Sequence, residues 1–155
     1  MLHVHDLTPD RIAPVALALR EADQAELTAA GIEDTVTMLM DALPECSWAR
    51  VAEWNDRPVF MYGVRPLAGG EIGVPWMLST VDLAKAERIA VARLAREVMA
   101  QMQAEFPVLT NMVHAENVEA IKFIEWLGFD VSDKLTGPGY RFRQFIWRRD
   151  SCATL

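Results

Sequence analysis

Asn117-Val118-Glu119-Ala120-Ile121-Lys122-Phe123-Ile124-Glu125-Trp126-Leu127-Gly128-Phe129 is the stretch on which the fold turns. Asparagine is a strong N-cap, because its side-chain oxygen accepts one of the free N–H groups at a helix start. Ala120, Ile121, Ile124 and Leu127 recur at the intervals that place apolar groups on one helix face. Gly128 suits the left-handed position just past a helix end. The run therefore predicts a capped helix over 118–127 that turns directly into a strand at Phe129. Ahead of it, Pro107 closes an upstream helix and Val108 to Val113 reads as a strand.

Outward from this core, Val81 to Phe106 predicts one long helix with Val91, Leu94, Ala95, Val98 and Met102 on its buried face. Before that lies a meander. Trp48 to Trp54 and Pro58 to Val64 are joined by the turn residues Asn55-Asp56-Arg57. Pro66 to Gly70 is a second turn, and Ile72 to Ser79 is a third strand. Pro75 inside it cannot donate to a ladder, so it marks an edge, a bulge or a break in pairing. At the start, Leu2 to Asp6 reads as a strand. Thr8 and Pro9 open a helix striped by Ile12, Val15, Ala16 and Leu19. Gly31 ends that region, and a second helix carries Val36, Leu39, Met40 and Leu43 as far as Pro44. Tyr140 to Trp147 supplies the last strand. The order β-α-α-β-β-β-α-β-α-β-β predicts a single α/β domain over 1–155, a mixed sheet covered by helices.

Composition narrows the function classes. Hydrophobic residues make up 52% of the 155, enough for a real core. No apolar run approaches the roughly 20 residues that cross a bilayer. The first residues, Met1-Leu2-His3-Val4-His5-Asp6, lack the regions of a signal peptide, which predicts a cytoplasmic chain. A net charge of −7 disfavours nucleic acid and anionic membranes as partners, since both need a basic surface. Lys134, Arg141, Arg143, Arg148 and Arg149 cluster without an intervening acid, as on a solvated strand edge. Two cysteines, Cys46 and Cys152, make neither a disulfide scaffold nor a structural zinc site. His3, His5 and His114 have no carboxylate or cysteine at partnering spacing, so no metal is expected. There is no Ser-His-Asp pattern, nucleophile elbow or P-loop.

The 117–129 run resembles the second CoA-proximal motif of the GNAT N-acetyltransferases, and the element order is the one that superfamily uses. Narrower likenesses lie in Leu19-Arg20-Glu21-Ala22-Asp23, Met61-Tyr62-Gly63-Val64-Arg65-Pro66-Leu67, Gly73-Val74-Pro75-Trp76-Met77-Leu78-Ser79-Thr80 and the Ile124–Phe129 end. These are similar to GNAT-like tailed-bacteriophage proteins of the internal virion or head-associated kind. The resemblance implies a GNAT-like acyl-CoA N-acyltransferase fold with acetyl-CoA as cosubstrate and a protein or small-molecule amine as acceptor.

It also implies roles for particular residues. A bulge at Val74-Pro75-Trp76-Met77 would present the backbone of Trp76, Met77 and Leu78 to the thioester, and Asn117 would reach a pantetheine amide. The family's Gly-rich pyrophosphate loop corresponds to 80–88, which contains no glycine and leaves Lys85 and Arg88 as the candidate phosphate ligands. Glu71 matches the usual catalytic carboxylate, ahead of Asp41, Glu45 and Glu53. Ile124 stands where many members carry a proton-donating tyrosine, which leaves Tyr140, Tyr62, a water or nothing. Three functions stay open at this level. One is a working N-acetyltransferase. Another is a catalytically inactive GNAT-fold component of a phage virion or of its morphogenesis. The third is a phage enzyme acting on a host protein.

Overall fold

A computed structural model describes residues 1–150. Cys152 lies outside them. The elements are β1 (Leu2–Asp6), α1 (Pro9–Ala16), α2 (Glu21–Ala29), α3 (Thr35–Ala42), β2 (Trp48–Trp54), β3 (Arg57–Pro66), β4 (Ile72–Ser79), α4 (Arg88–Glu105), β5 (Val108–His114), α5 (Val118–Trp126), β6 (Asp130–Thr136) and β7 (Phe142–Arg148). The strands form one sheet in the order β1-β2-β3-β4-β5-β7-β6. All neighbours are antiparallel except β4 and β5. The α/β mixed sheet expected from the sequence is therefore present.

Two local expectations fail for tertiary reasons. The first predicted helix is two, α1 and α2, so three helices precede β2. The chain leaves the helix at Leu17 because its next residues pair with the end of β4. Leu19 bridges to Thr80, Arg20 N–H donates to the Ser79 carbonyl and Val81 N–H to the Ala18 carbonyl. The long helix also begins later than expected. Val81–Lys85 forms a 3-10 turn, capped by the Thr80 hydroxyl on Asp82 N–H, and α4 starts only at Arg88. The β2–β3 turn is as read, with Asn55 and Asp56 both at positive φ, the geometry that suits a two-residue hairpin.

Alternation along the strands gives the sheet two buried faces. On one, Val51, Met61 and Leu78 pack under α1 and α3 with Ile12, Val15 and Leu39. On the other, Val64, Leu109, Val113 and Phe145 pack under α4 and α5 with Met99, Met102, Phe106 and Ile121. Met61 and Leu109 are fully buried, and each such side chain contributes about 1.5–3 kcal/mol. Gly73 sits where this second core presses hardest on the sheet. A Cβ there would stand 2.6 Å from Phe106 Cδ2 and 3.0 Å from Leu109 Cδ2.

Gly73→Ala must therefore displace the Phe106 ring or the strand. Overpacking of this kind costs about 1–3 kcal/mol, which should appear as a lower urea midpoint at unchanged slope. An unshifted midpoint would show that the ring is free to move.

Candidate active site

The parallel junction between β4 and β5 is short. Its register runs only through Ile72↔Val108 and Gly73↔Leu109, with Val108 N–H donating to the Glu71 carbonyl. The next rung would need an N–H from Pro75, which has none. From there the strands part. β4 stays paired to β3 alone and β5 to β7 alone. The β3–β4 register is continuous from Phe60↔Ser79 to Pro66↔Gly73, so the bulge expected at Val74–Met77 is absent. Proline ends pairing with β5 without disturbing β3, because its nitrogen faces the β5 side.

Which backbone groups face the opening follows from the pleat. Glu71, Pro75 and Ser79 all direct backbone groups away from β3, toward Val108, Asn111 and the Arg20–Asp23 segment. Met77 shares that parity. Trp76 and Leu78 have the opposite one and direct their backbones to β3, so of the three expected cleft residues only Met77 offers its N–H and C=O to the cleft.

The rest of the β4 edge and the N–H groups of the β5 edge are capped. The Asn111 side chain spans the gap, its Nδ2 donating to the Pro75 carbonyl at 2.8 Å while its Oδ1 accepts Met112 N–H at 2.8 Å. Asp23 on α2, only 4% exposed, accepts Ser79 N–H at 3.0 Å and the Arg20 guanidinium at 3.1 Å. Glu26, one turn on, accepts His114 N–H from the end of β5. Met77 is left without a partner across the opening.

A cavity of about 1350 Å³ runs through this opening to both faces of the sheet. On the α4–α5 side Met77, Arg88, Val91 and Phe123 line it. On the α2–α3 side Glu26, Met38, Cys46, Arg65 and Trp76 do. Trp76 lies over Gly63, where a Cβ would come within 2.9 Å of the indole, so the ring covers β3 on the α2–α3 side of the cavity.

The structure thus brings Trp76, Met77, Leu78 and Arg88 to one cavity. It places the other expected site residues elsewhere. Glu71 is exposed beyond the closed end of the β4–β5 junction. Tyr140, 76% exposed, lines a separate hollow with His114 and Arg141. Lys85 is ion-paired to Asp82 at 3.0 Å. Asn117 caps α5 through Oδ1 on Ala120 N–H at 3.4 Å, and its Nδ2 is buried without a partner. Among the described residues no three His, Cys, Asp or Glu side chains converge as metal ligands, and no helix is long and apolar enough to cross a membrane.

Glu26, Asp23, Asn111 and Arg65 were not singled out by sequence. A pattern did exist for the first three. Asp23, Glu26, Leu27 and Ala30 fall at helical spacing, so two acids occupy a stripe that should be apolar. Asn111 takes the inward position between Leu109 and Val113 on a strand of period two. Two further groups of the cavity have shifted acidities. Burial pushes the Tyr62 hydroxyl up, opposed by the nearby Arg50 guanidinium, and that hydroxyl has no hydrogen-bond partner. Burial also raises the Cys46 thiol, against the influence of Trp76 and Arg65.

No known family's sequence profile matches the chain, and no curated protein matches it in sequence. Solved structures do match in shape. Ard1 from Thermoplasma volcanium superposes with a TM-score of 0.71 at 16% identity, covering 95% of this chain and 96% of its own. An acetyltransferase of the GNAT family from Streptococcus pneumoniae gives 0.64 at 13%, covering 97% and 100%. The ribosomal-protein-S18-alanine N-acetyltransferase from Escherichia coli gives 0.62 at 15%, covering 94% and 91%. The chain has the GNAT acetyltransferase fold.

Glu26 supplies a pH test. Burial raises its pKa above the usual carboxyl value of 4.5, the Asp23 charge adds to this, and His114 N–H opposes it. The folded protein thus keeps a proton on Glu26 where the unfolded chain has lost it. Its contribution is complete below the unfolded value and is lost as pH rises through the raised one. Glu26→Gln should remove that slope, gaining stability relative to the parent as pH climbs above 4.5. Parallel urea-midpoint profiles for the two proteins would contradict this.

Proposed function

We propose that this protein is an acyl-CoA-dependent N-acyltransferase that moves an acetyl group to an amine. The observation that carries the reading is the unpartnered Met77 N–H in a cleft that passes through the sheet. An acyl-CoA supplies the acyl group as a thioester. The fit of this chain to that cosubstrate is good at the thioester end and sparse at the pyrophosphate end. The narrow opening beside Met77 accommodates an extended arm. On the α4 side, Arg88 at the start of the helix is the cavity-lining cation, together with the first N–H groups of α4. Lys85 is already neutralised by Asp82, which also lies 3.8 Å from Arg57.

Met77 N–H donates to a carbonyl oxygen held in the cleft and stabilises negative charge as it develops there. A fixed backbone donor in a water-poor slot is worth more than the same group in water. Glu26 is the base. It reaches the α2 side of the same cavity, and its raised pKa brings it nearer the range in which a carboxylate accepts a proton from an ammonium. Asp23 and Arg20 position α2 by tying it to Ser79. Glu71 has no part in this arrangement. Of the two tyrosines, Tyr62 lines the cavity beside Met77 and Tyr140 does not.

A second reading is favoured by the Gly-free turn and the Lys85–Asp82 pair. Here the fold serves binding or assembly without catalysis, as a phage virion or morphogenesis component or a host-protein-binding one.

Melting with acetyl-CoA separates the two. Saturation at a hundredfold excess over the dissociation constant adds about 2.7 kcal/mol of stability, whereas no shift at millimolar cosubstrate would leave only the binding role. Met77→Pro removes the cleft-facing N–H without costing a β3 bond, as Pro75 already shows. It should lower kcat about 10²–10³-fold, while Met77→Leu, which keeps the N–H, should not.

A further inference from the structure

Arg65 is an anomaly among the cations. Every other lysine or arginine of the described residues is either solvent-exposed or engaged. Arg11 and Arg20 hold carboxylates, Arg50 holds Gln101, and Arg143 holds Ser132 and Asp133. Arg65 is half-buried on β3 and lines the cavity, and its side chain has neither a hydrogen bond nor an ion pair among the described residues. In a chain of net charge −7 acids are plentiful, yet none is placed against it. Glu45 comes near enough to push the Cys46 thiol pKa up but makes no ion pair with Arg65. Leaving a guanidinium half-desolvated without a partner is costly, which is the expected state of a site whose partner arrives with a ligand.

Its surroundings limit what that ligand is. Arg65 pairs across the ladder with Val74 and shares the α2–α3 side with Trp76, Cys46 and Met38. One fork of donors in an apolar setting matches a single carboxylate, which arginine binds bidentately. A phosphate dianion would ask for more donors than this wall provides. From Val74 to Met77 is three residues, or about 10 Å of strand. Glu26 lies on the same side of the sheet.

Building on the acyltransferase reading, we propose that the acceptor is an amine carrying a carboxylate several bonds away, with Arg65 as the carboxylate-binding, specificity-determining residue. The amine is presented at Met77 and Glu26 while the acid end rests on Arg65. Arg65 touches no reacting atom, so its effect falls on the acceptor's KM rather than on kcat.

The test pairs free acids with their primary amides: glycine, β-alanine, 4-aminobutyrate and 5-aminopentanoate against the corresponding carboxamides. CoA release gives kcat and KM, and melting with each compound alone gives binding without turnover. We expect the longer acids to show KM values at least tenfold below their amides. Arg65→Met should erase that preference, with KM for acetyl-CoA and kcat unchanged, and Arg65→Lys should restore it in part. Equal KM values for acids and amides in the parent protein, beside normal CoA release, would overturn the carboxylate site and leave the acyltransferase standing. If acetyl-CoA neither binds nor turns over, an acid-specific melting shift that Arg65→Met abolishes would still support the site. Absence of that shift would remove it.

Discussion

One missing hydrogen shapes the centre of this molecule. Pro75 has no N–H, and it falls where the parallel β4–β5 ladder would add its next rung. Had the strands zipped to their ends, the sheet would be continuous and the two helical layers would be sealed from each other. Because proline removes a donor on one side only, the β3–β4 ladder survives intact while the β5 side opens. A bulge would have disturbed both sides. The wedge is therefore sharp, and the strand edge that faces it is straight.

An opened edge is unstable unless its polar groups are met, since each buried unpaired backbone group costs about 1–3 kcal/mol. The chain meets this demand with parts drawn from far away in sequence. The segment that interrupts the first helix closes the Ser79 end, with Arg20 and Asp23 at its tip. Glu26 closes the end of β5 and Asn111 bridges the middle. The break between α1 and α2 is thus a consequence of the wedge, because the chain has to leave the helix to supply those bonds. Along the opened β4 edge, Met77 is what remains once Pro75 and Ser79 are satisfied. It is this open backbone group beside a cavity on which the proposed site rests.

The fold was legible where local chemistry and periodicity agreed. The 117–129 run showed its cap, its apolar face and its glycine stop, and Asn55-Asp56 showed the hairpin. Pro75 was read as an edge, a bulge or a break, and only the third dimension chose among them. The helix boundary at Leu17 was hidden because Leu19 continues the apolar stripe; the residue is claimed by Thr80, sixty-one positions away. The site was less visible. Trp76, Met77 and Leu78 fell on the strand that borders the opening, but pleat parity separates them and depends on register. Glu71 looked suitable by position along the meander, yet it stands at the closed end. Glu26 was not singled out, and its character comes from burial and from His114 and Asp23 around it.

The pyrophosphate end and the thioester end of the proposed site ask for different things. A contact that holds ground state and transition state equally raises KM without lowering kcat when it is lost. A Gly-rich loop is of that uniform kind. Here its place is taken by a 3-10 turn stabilised internally, with Asp82 drawing on Lys85 and Arg57. The Met77 N–H is of the other kind, since its bond strengthens as charge builds on the oxygen. On the proposed reading, a chain that lacks the first and keeps the second would bind its cosubstrate loosely and still align the thioester.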